Sequence, residues 1–335
     1  MPFDLPFIWA LLIAVSIFAY VVLDGFDLGV GILFPFSASE DERSIMINAV
    51  APVWDGNETW LILGGGGLFA VFPLAYSVLM PALYAPIIAM LIGLVFRGVV
   101  FEFRFKSSAR SRPNWDLAFF LGSLVATFAQ GVALGTVVQG VAVEGRAYAG
   151  GWYDWLSPFT LMTGAALVAG YGLLGATWLV WKTEGPVQQR FRSLSGRLAI
   201  AVLGFIGVVS LWMPLSEPEI FARWFAYPAS FVTLPVPVLV AACAGLLFAG
   251  LKGTRDSVPF LAALGLFLLS YVGLAISLYP FIVPRSITIW QAAAPQSSLA
   301  FLLVGAVILL PLILGYTAYA YWVFRGKIRP GEGYH

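Results

Sequence analysis

The chain has 335 residues, of which 60% are hydrophobic and only 10% are charged. A typical soluble domain has about 45–50% apolar and about 25% charged residues, so this composition predicts an integral membrane protein and excludes a soluble enzyme or a disordered chain. The 18 basic and 17 acidic side chains nearly cancel, which leaves no electrostatic basis for nucleic-acid binding. The single cysteine and the single, C-terminal histidine exclude an intramolecular disulfide and an internal imidazole ligand.

Nine apolar runs along the chain are long enough to cross a bilayer, which takes about 20 mostly apolar residues. They predict an all-α integral membrane protein with about nine transmembrane helices. The second and third runs are separated only by the proline breakers at Phe72-Pro73 and Met80-Pro81. The runs cover residues 7–33, 53–76, 78–101, 115–141, 159–182, 198–215, 228–251, 258–280 and 297–324.

Basic residues are distributed unevenly between the predicted loops. Thirteen Lys and Arg side chains follow helices 3, 5, 7 and 9, and only three follow helices 4, 6 and 8. Cytoplasmic loops carry the excess of basic residues, so this alternation predicts an outside N-terminus and a cytoplasmic C-terminus.

The first candidate functional motif lies near the end of helix 1, where Asp24 and Asp27 are three residues apart and share a helix face. Carboxylates at membrane depth usually mark an ion or proton path, although both acids could instead reach the solvated headgroups. Gly25 and Gly29 form a small-xxx-small pair that allows another helix to approach closely.

The second motif is Trp54-Asp55-Gly56-Asn57-Glu58-Thr59-Trp60 at the start of helix 2. The spacing of Asp55 and Glu58 is that of a capping box, which is the simplest interpretation. Two acids, an amide and two indoles within seven residues are more than a cap requires, so a functional site is the alternative.

Arg97 lies several residues inside the third apolar run. It either pairs with a carboxylate or extends its side chain to the membrane interface. We expect Glu102 and Arg104 to be interfacial and Asp116 to cap helix 4. The predicted topology brings Asp24, Asp27, Asp55, Glu58 and Arg97 to one depth on the cytoplasmic side, which indicates a polar entrance that handles protons or cations.

These motifs resemble the second subunit of bd-type quinol oxidases, the cyanide-insensitive branch as much as any other. Two positions depart from the family pattern: Glu58 replaces a glutamine, and Gly98 replaces the proline after the arginine. The matching stretches are residues 24–31 (DGFDLGVG), 45–48 (IMIN), 51–52 (AP), 54–57 (WDGN), 60–62 (WLI), 96–97 (FR) and 115–116 (WD).

The resemblance implies a bacterial inner-membrane complex that oxidises quinol and reduces O₂ to water with cytoplasmic protons. It places haems b and d in a larger partner subunit, with none ligated by this chain, and it leaves open a small third subunit and a structural quinone. It also implies two four-helix bundles, residues 1–141 and 159–280, plus a peripheral helix, 297–324.

On this hypothesis Asp24, Asp27, Asp55, Glu58 and Arg97 line proton uptake, with Trp54 packing the wall. Small-xxx-small faces and the absence of redox ligands predict that helices 1 to 3 lie at or near the partner. Two alternatives stay open: a proton- or cation-coupled secondary transporter, and a subunit that only packs the haem-bearing partner. A transporter typically has interrupted helices at the bilayer midplane in both halves, whereas these polar groups lie near one face in one half.

Overall fold

The computed structural model describes residues 4–328 and is almost entirely helical. Two short antiparallel hairpins, β1–β2 and β3–β4, lie in connecting loops. A 3₁₀ turn, Phe34–Phe36, extends the first helix. The helices are α1 Leu5–Leu33, α2 Glu40–Asn48, α3 Trp54–Val71, α4 Pro73–Phe103, α5 Arg112–Gln139, α6 Pro158–Lys182, α7 Gly185–Ser216, α8 Pro218–Phe225, α9 Ser230–Thr233, α10 Pro235–Lys252, α11 Val258–Leu278, α12 Ile289–Ala292 and α13 Gln296–Val323; the strands are β1 Val143–Glu144, β2 Ala147–Tyr148, β3 Phe281–Val283 and β4 Ile287–Thr288.

Eight stretches of the described residues are long and apolar enough to cross a membrane, which confirms the all-α membrane fold. They are α1, α4, α5, α6, α7, α9 with α10, α11 and α13. The second predicted run is the exception: α3 has 18 residues, hence about 27 Å of length, and its polar first turn and four glycines lower its hydropathy.

Helix boundaries differ from the sequence prediction at three places. Of the two proline breakers, only Phe72-Pro73 ends a helix, because Pro81 lies inside α4. The sixth predicted helix begins at Gly185 rather than at residue 198, so three arginines expected in a loop belong to α7. The seventh is divided into α9 and α10.

Helix α1 is the centre of the N-terminal half and packs against α3, α5 and α6. A Cβ added at Gly29 would lie only 1.8 Å from the carbonyl oxygen of Tyr171, and one at Gly175 would lie 2.4 Å from the Gly29 backbone. The backbones of α1 and α6 are therefore in direct contact. The small-xxx-small face of α1 is used within this chain, so it no longer supports the prediction that helix 1 faces the partner.

Helix α6 packs against α5 and α1 as well as against α7, and it therefore links the two halves of the chain. The division into bundles at residues 1–141 and 159–280 stays a prediction. Helix α13 lies at the periphery and is held near both ends. Near its start the Trp9 indole donates to the Leu299 carbonyl (3.0 Å), and beyond its end Lys182 donates to the Phe324 carbonyl (2.5 Å).

Candidate proton-handling site

The core of the site is an ion pair between α1 and α4. Arg97 Nη2 donates to Asp24 Oδ1 over 2.8 Å, and both side chains are completely buried. Arg97 Nη2 also lies 3.6 Å from Glu58 Oε1 on α3, and the Glu58 side chain is 26% exposed. Arg97 thus pairs with two acids and does not extend to the interface.

Asp27 lies one helical turn beyond Asp24 and has a different partner. Its Oδ2 accepts a hydrogen bond from the Asn57 side-chain amide (2.7 Å), which also donates to the Leu23 carbonyl (3.2 Å). The Tyr321 hydroxyl on α13 donates to the Asn57 carbonyl oxygen (2.9 Å). The peripheral helix therefore contributes a side chain to the polar cluster.

Trp54 covers the cluster at the start of α3. The Arg97 guanidinium lies 5.6 Å from the centre of its ring, within the range of a cation–π contact. The Trp54 indole also stacks on the Phe101 ring, with ring centres 4.7 Å apart and the ring planes nearly parallel. A Cβ at Gly98 would lie 3.4 Å from the indole, an ordinary van der Waals contact, so Trp54 packs directly against this position.

Asp55 is exposed in the first turn of α3, and the structure does not support the capping-box interpretation. The residue before the helix is Val53, and no side-chain hydrogen bond caps this end. Asp55 is also not the acid that pairs with Arg97. It lies one turn before Glu58 on the same helix, at the outer edge of the cluster.

Asp116 does not cap a helix, because α5 begins four residues earlier, at Arg112. Its carboxylate instead accepts from Arg104 Nε (2.6 Å) and Arg43 Nη1 (3.1 Å). Arg104 also pairs with Glu40 (2.7 Å) and is 1% exposed, so it is buried rather than interfacial. This second network ties α2 to α4 and α5.

Several buried polar atoms of the main cluster have no hydrogen-bond partner among residues 4–328. They are Asp24 Oδ2, Asp27 Oδ1, and Arg97 Nε and Nη1. Nearly all buried polar atoms in proteins are paired, so four such atoms in one cluster make it exceptional.

Sequence reasoning missed Asn57 as a partner of Asp27, and it missed the contribution of Tyr321 to the cluster. The available signal was a polar side chain within an apolar run, which becomes informative only when the partner helix is known.

The described residues offer no ligand cluster for a metal ion. No group of three His, Cys, Asp or Glu side chains in that part of the chain could hold one. The only histidine of the sequence, His335, lies outside the described residues, which therefore supply no imidazole to a haem iron.

The whole chain matches known proteins. Residues 5–324 match the family model described as cytochrome bd terminal oxidase subunit II. The chain belongs to this family. Cytochrome bd-I ubiquinol oxidase subunit 2 of Escherichia coli K12 is 33% identical, covering 97% of this chain and 95% of the relative. Cytochrome bd ubiquinol oxidase subunit 2 of Bacillus subtilis is 30% identical, with 97% of both chains covered.

The fold comparison agrees with the family. The solved bd oxidase of Geobacillus thermodenitrificans superposes with a TM-score of 0.75, covering 97% of this chain and all of that chain. Its identity is 18%, so this likeness shows the fold alone. Family membership and the apolar helices make this a multi-pass protein of the bacterial inner membrane that forms part of an oxidoreductase complex with a subunit I. The resemblance drawn from the sequence motifs is confirmed.

Proposed function

We propose that the chain supports a quinol-oxidising, O₂-reducing complex by lining the route through which protons enter from the cytoplasm. Reducing one O₂ to two waters consumes four protons, and a reaction centre within the membrane needs a polar path to receive them. The haems and quinol oxidation belong, on this proposal, to the larger partner. The E. coli and B. subtilis relatives are both named ubiquinol oxidase subunits, which supports a quinol as the electron donor.

This proposal rests on the decrease in solvent exposure from the outer to the inner acidic side chains of the cluster. Asp55 is exposed, Glu58 is one quarter exposed, and Asp24 is completely buried. A carboxylate can accept and release a proton at each of these depths. Arg97 compensates the negative charge at the two inner positions, which allows acids to remain in an apolar environment.

The unpartnered atoms of Asp24, Asp27 and Arg97 are the positions at which water molecules would complete the path. A buried water typically forms about three hydrogen bonds to such otherwise unpaired groups. A purely structural ion pair would be more stable with these atoms satisfied by protein, so their number favours a hydrated path over a packing role.

The orientation of the chain is part of the proposal. The acids lie at the end of the molecule where α1 and α4 finish and α3 and α5 begin, and the loops rich in basic residues lie at this same end. The positive-inside rule makes this the cytoplasmic face, with the N-terminus outside. A secondary transporter would need a site at the midplane shared by two repeats, and the one-sided cluster favours the oxidase instead.

The test replaces acids by amides in the intact complex. Since Asp55 makes no capping bond, Asp55→Asn leaves α3 intact and removes only the titratable group. Asp24→Asn keeps the shape of the side chain that faces Arg97. In each variant we expect O₂ consumption to fall by about tenfold or more, while the haems stay in place and are still reduced by quinol.

Asp154→Asn is the matched control, because this carboxylate lies outside the cluster and accepts a hydrogen bond from the Tyr148 hydroxyl (2.8 Å). Its turnover should equal that of the unmodified complex. Normal turnover in Asp55→Asn, in Asp24→Asn and in the double variant would mean that this chain takes no part in the proton path. Its role would then be only to pack against the haem-bearing partner.

A further inference from the structure

A chain of polar side chains continues from Asp24 into the apolar interior between α1, α5 and α6. Tyr20 lies one turn before Asp24 on the same face of α1, and Asp24 Oδ2 has no hydrogen-bond partner among residues 4–328. The Gln130 side-chain amide on α5 donates to the Tyr20 hydroxyl (2.7 Å). The Tyr171 hydroxyl on α6 donates to the Gln130 carbonyl oxygen (3.0 Å).

The glycines of α1 create the space in which this chain forms. A Cβ at Gly25 would lie 2.8 Å from the Tyr171 ring, so the tyrosine occupies the volume that a larger residue beside Asp24 would take. Tyr20 and Tyr171 are 4% and 0% exposed. At this depth an unpaired hydroxyl or amide is costly, so each group depends on the next for its hydrogen bond.

The charge on Asp24 favours one direction for the whole chain. An ionised carboxylate can only accept hydrogen bonds, and the Tyr20 hydroxyl, which accepts from Gln130, keeps its own proton to donate toward Asp24. The Gln130 oxygen in turn accepts from Tyr171. In this arrangement every donor points toward Asp24.

Gln130 cannot relay protons as its neighbours can. Its amide neither gains nor loses a proton in the range where carboxyl groups titrate, whereas a carboxyl group or a hydroxyl can pass one on. The chain thus holds Asp24 in place and does not extend the proton path beyond it.

We propose that Gln130, acting through Tyr20 and backed by Tyr171, is a positioning residue that orients the Asp24 carboxylate toward Arg97 and Glu58. The expected effect on O₂ consumption rests on the proposed function, whereas the expected effect on the orientation of the Asp24 carboxylate does not. It assigns a role to a side chain that lies on α5, outside the motif segments.

The experiment uses the intact complex with Gln130→Leu, which removes both amide bonds at similar volume, and with Tyr20→Phe and Tyr171→Phe, which each remove a single oxygen. The infrared carboxyl and carboxylate bands of Asp24, assigned by their loss in Asp24→Asn, report its orientation directly. We expect Gln130→Leu and Tyr20→Phe to shift these bands and to lower O₂ consumption about three- to tenfold at unchanged haem content. The effect of Tyr171→Phe should be smaller.

Two matched controls lie outside the chain. Gln139 occupies the same Gln-Gly-Val pattern nine residues later on α5 and accepts from the Ser157 hydroxyl (2.8 Å). Tyr271 is a partly buried tyrosine whose hydroxyl donates to the Ala14 carbonyl (2.9 Å). Gln139→Leu and Tyr271→Phe should leave the Asp24 bands unchanged.

Unshifted Asp24 bands in both Gln130→Leu and Tyr20→Phe would overturn the inference. If Gln130→Leu fails to assemble, Tyr20→Phe decides the question alone. Normal turnover in Asp24→Asn together with shifted bands in Tyr20→Phe would refute the proton route but keep the positioning role. Impaired turnover in Asp24→Asn together with unshifted bands in Gln130→Leu and Tyr20→Phe would keep the proton route but refute the positioning role.

Discussion

The membrane-spanning helices of the two halves of the chain are buried within the protein to different extents. In the most apolar stretches of α4 and α5, 44% of the residues are buried inside the protein, against 11% in α7 and 6% in α13. The buried ion pair, Arg97 with Asp24, lies in the N-terminal half, whereas the arginines of α7 lie toward the N-terminal end of that helix. In this chain, charge is therefore tolerated at membrane depth where neighbouring helices exclude lipid from it.

Glycines that bring two helix backbones into contact accompany this difference in packing. Gly29 and Gly175 bring the backbones of α1 and α6 together, and Gly93 and Gly122 do the same for α4 and α5. In the C-terminal half, Gly204, Gly207, Gly245, Gly305 and Gly315 have no neighbour within 4 Å of a built Cβ. Those glycines sit on helix faces that are open to lipid or to another subunit.

The largest expected effect comes from adding a methyl group at one glycine in each half of the chain. In Gly29→Ala the new methyl group would collide with backbone atoms of α6, which cannot move as a flexible side chain would. We expect a loss beyond the roughly 1–3 kcal/mol of ordinary overpacking, and so little assembled complex. Gly245→Ala adds the same methyl group on an open face. Yield and melting temperature of the complex should separate the two variants, and equal behaviour would refute the contrast in packing.

A smaller effect is expected from removing one arginine in each half. Arg97→Leu leaves Asp24 buried without its partner, which typically costs about 3–5 kcal/mol. The double variant Asp24→Asn with Arg97→Leu should recover much of that loss in stability but not the turnover. Arg197 is exposed on α7, so Arg197→Leu should change stability by less than about 0.5 kcal/mol. Thermal unfolding of the unmodified complex, the three single variants Asp24→Asn, Arg97→Leu and Arg197→Leu, and the double variant measures these differences. Additive effects of Asp24→Asn and Arg97→Leu would contradict the pairing.

The smallest effect concerns the loop between α10 and α11, outside the membrane. Asp256 pairs with Lys327 (2.6 Å) and with Arg192 (2.5 Å), which ties the C-terminal segment to α7. Burial alone would raise the pKa of Asp256, but hydrogen bonds from Lys327 and Gln188 and the nearby charges lower it below its ordinary value. A lowered pKa means that the folded state favours the ionised form, so the contribution is present at neutral pH and is lost as acid protonates the group.

Asp256→Asn should therefore lower stability by about 1 kcal/mol at neutral pH, as expected for a partly exposed ionic cluster. The difference from the unmodified complex should stay constant above about pH 5 and shrink below it. Melting temperatures of the two complexes measured across this range test the sign. A difference that grows toward acid pH would mean that the pKa is raised rather than lowered.

The membrane class and the family were predictable from the sequence. So was the clustering of five charged side chains at one end of three helices, namely Asp24, Asp27, Asp55, Glu58 and Arg97. Hydropathy and helical periodicity fix the depth of each side chain along its own helix, and that information is local. The family motifs are equally local, since they lie within short stretches of the N-terminal half.

Only the tertiary structure decided which groups meet. It paired Arg97 with Asp24 and Glu58 instead of Asp55, gave Asp27 the amide of Asn57, and brought Tyr321 to that amide from 264 positions away in sequence. It also used the glycine face of α1 for α6 rather than for a partner. The physical reason is that side-chain pairing depends on the rotation and separation of helices that are distant in sequence, and backbone contacts across several helices set both.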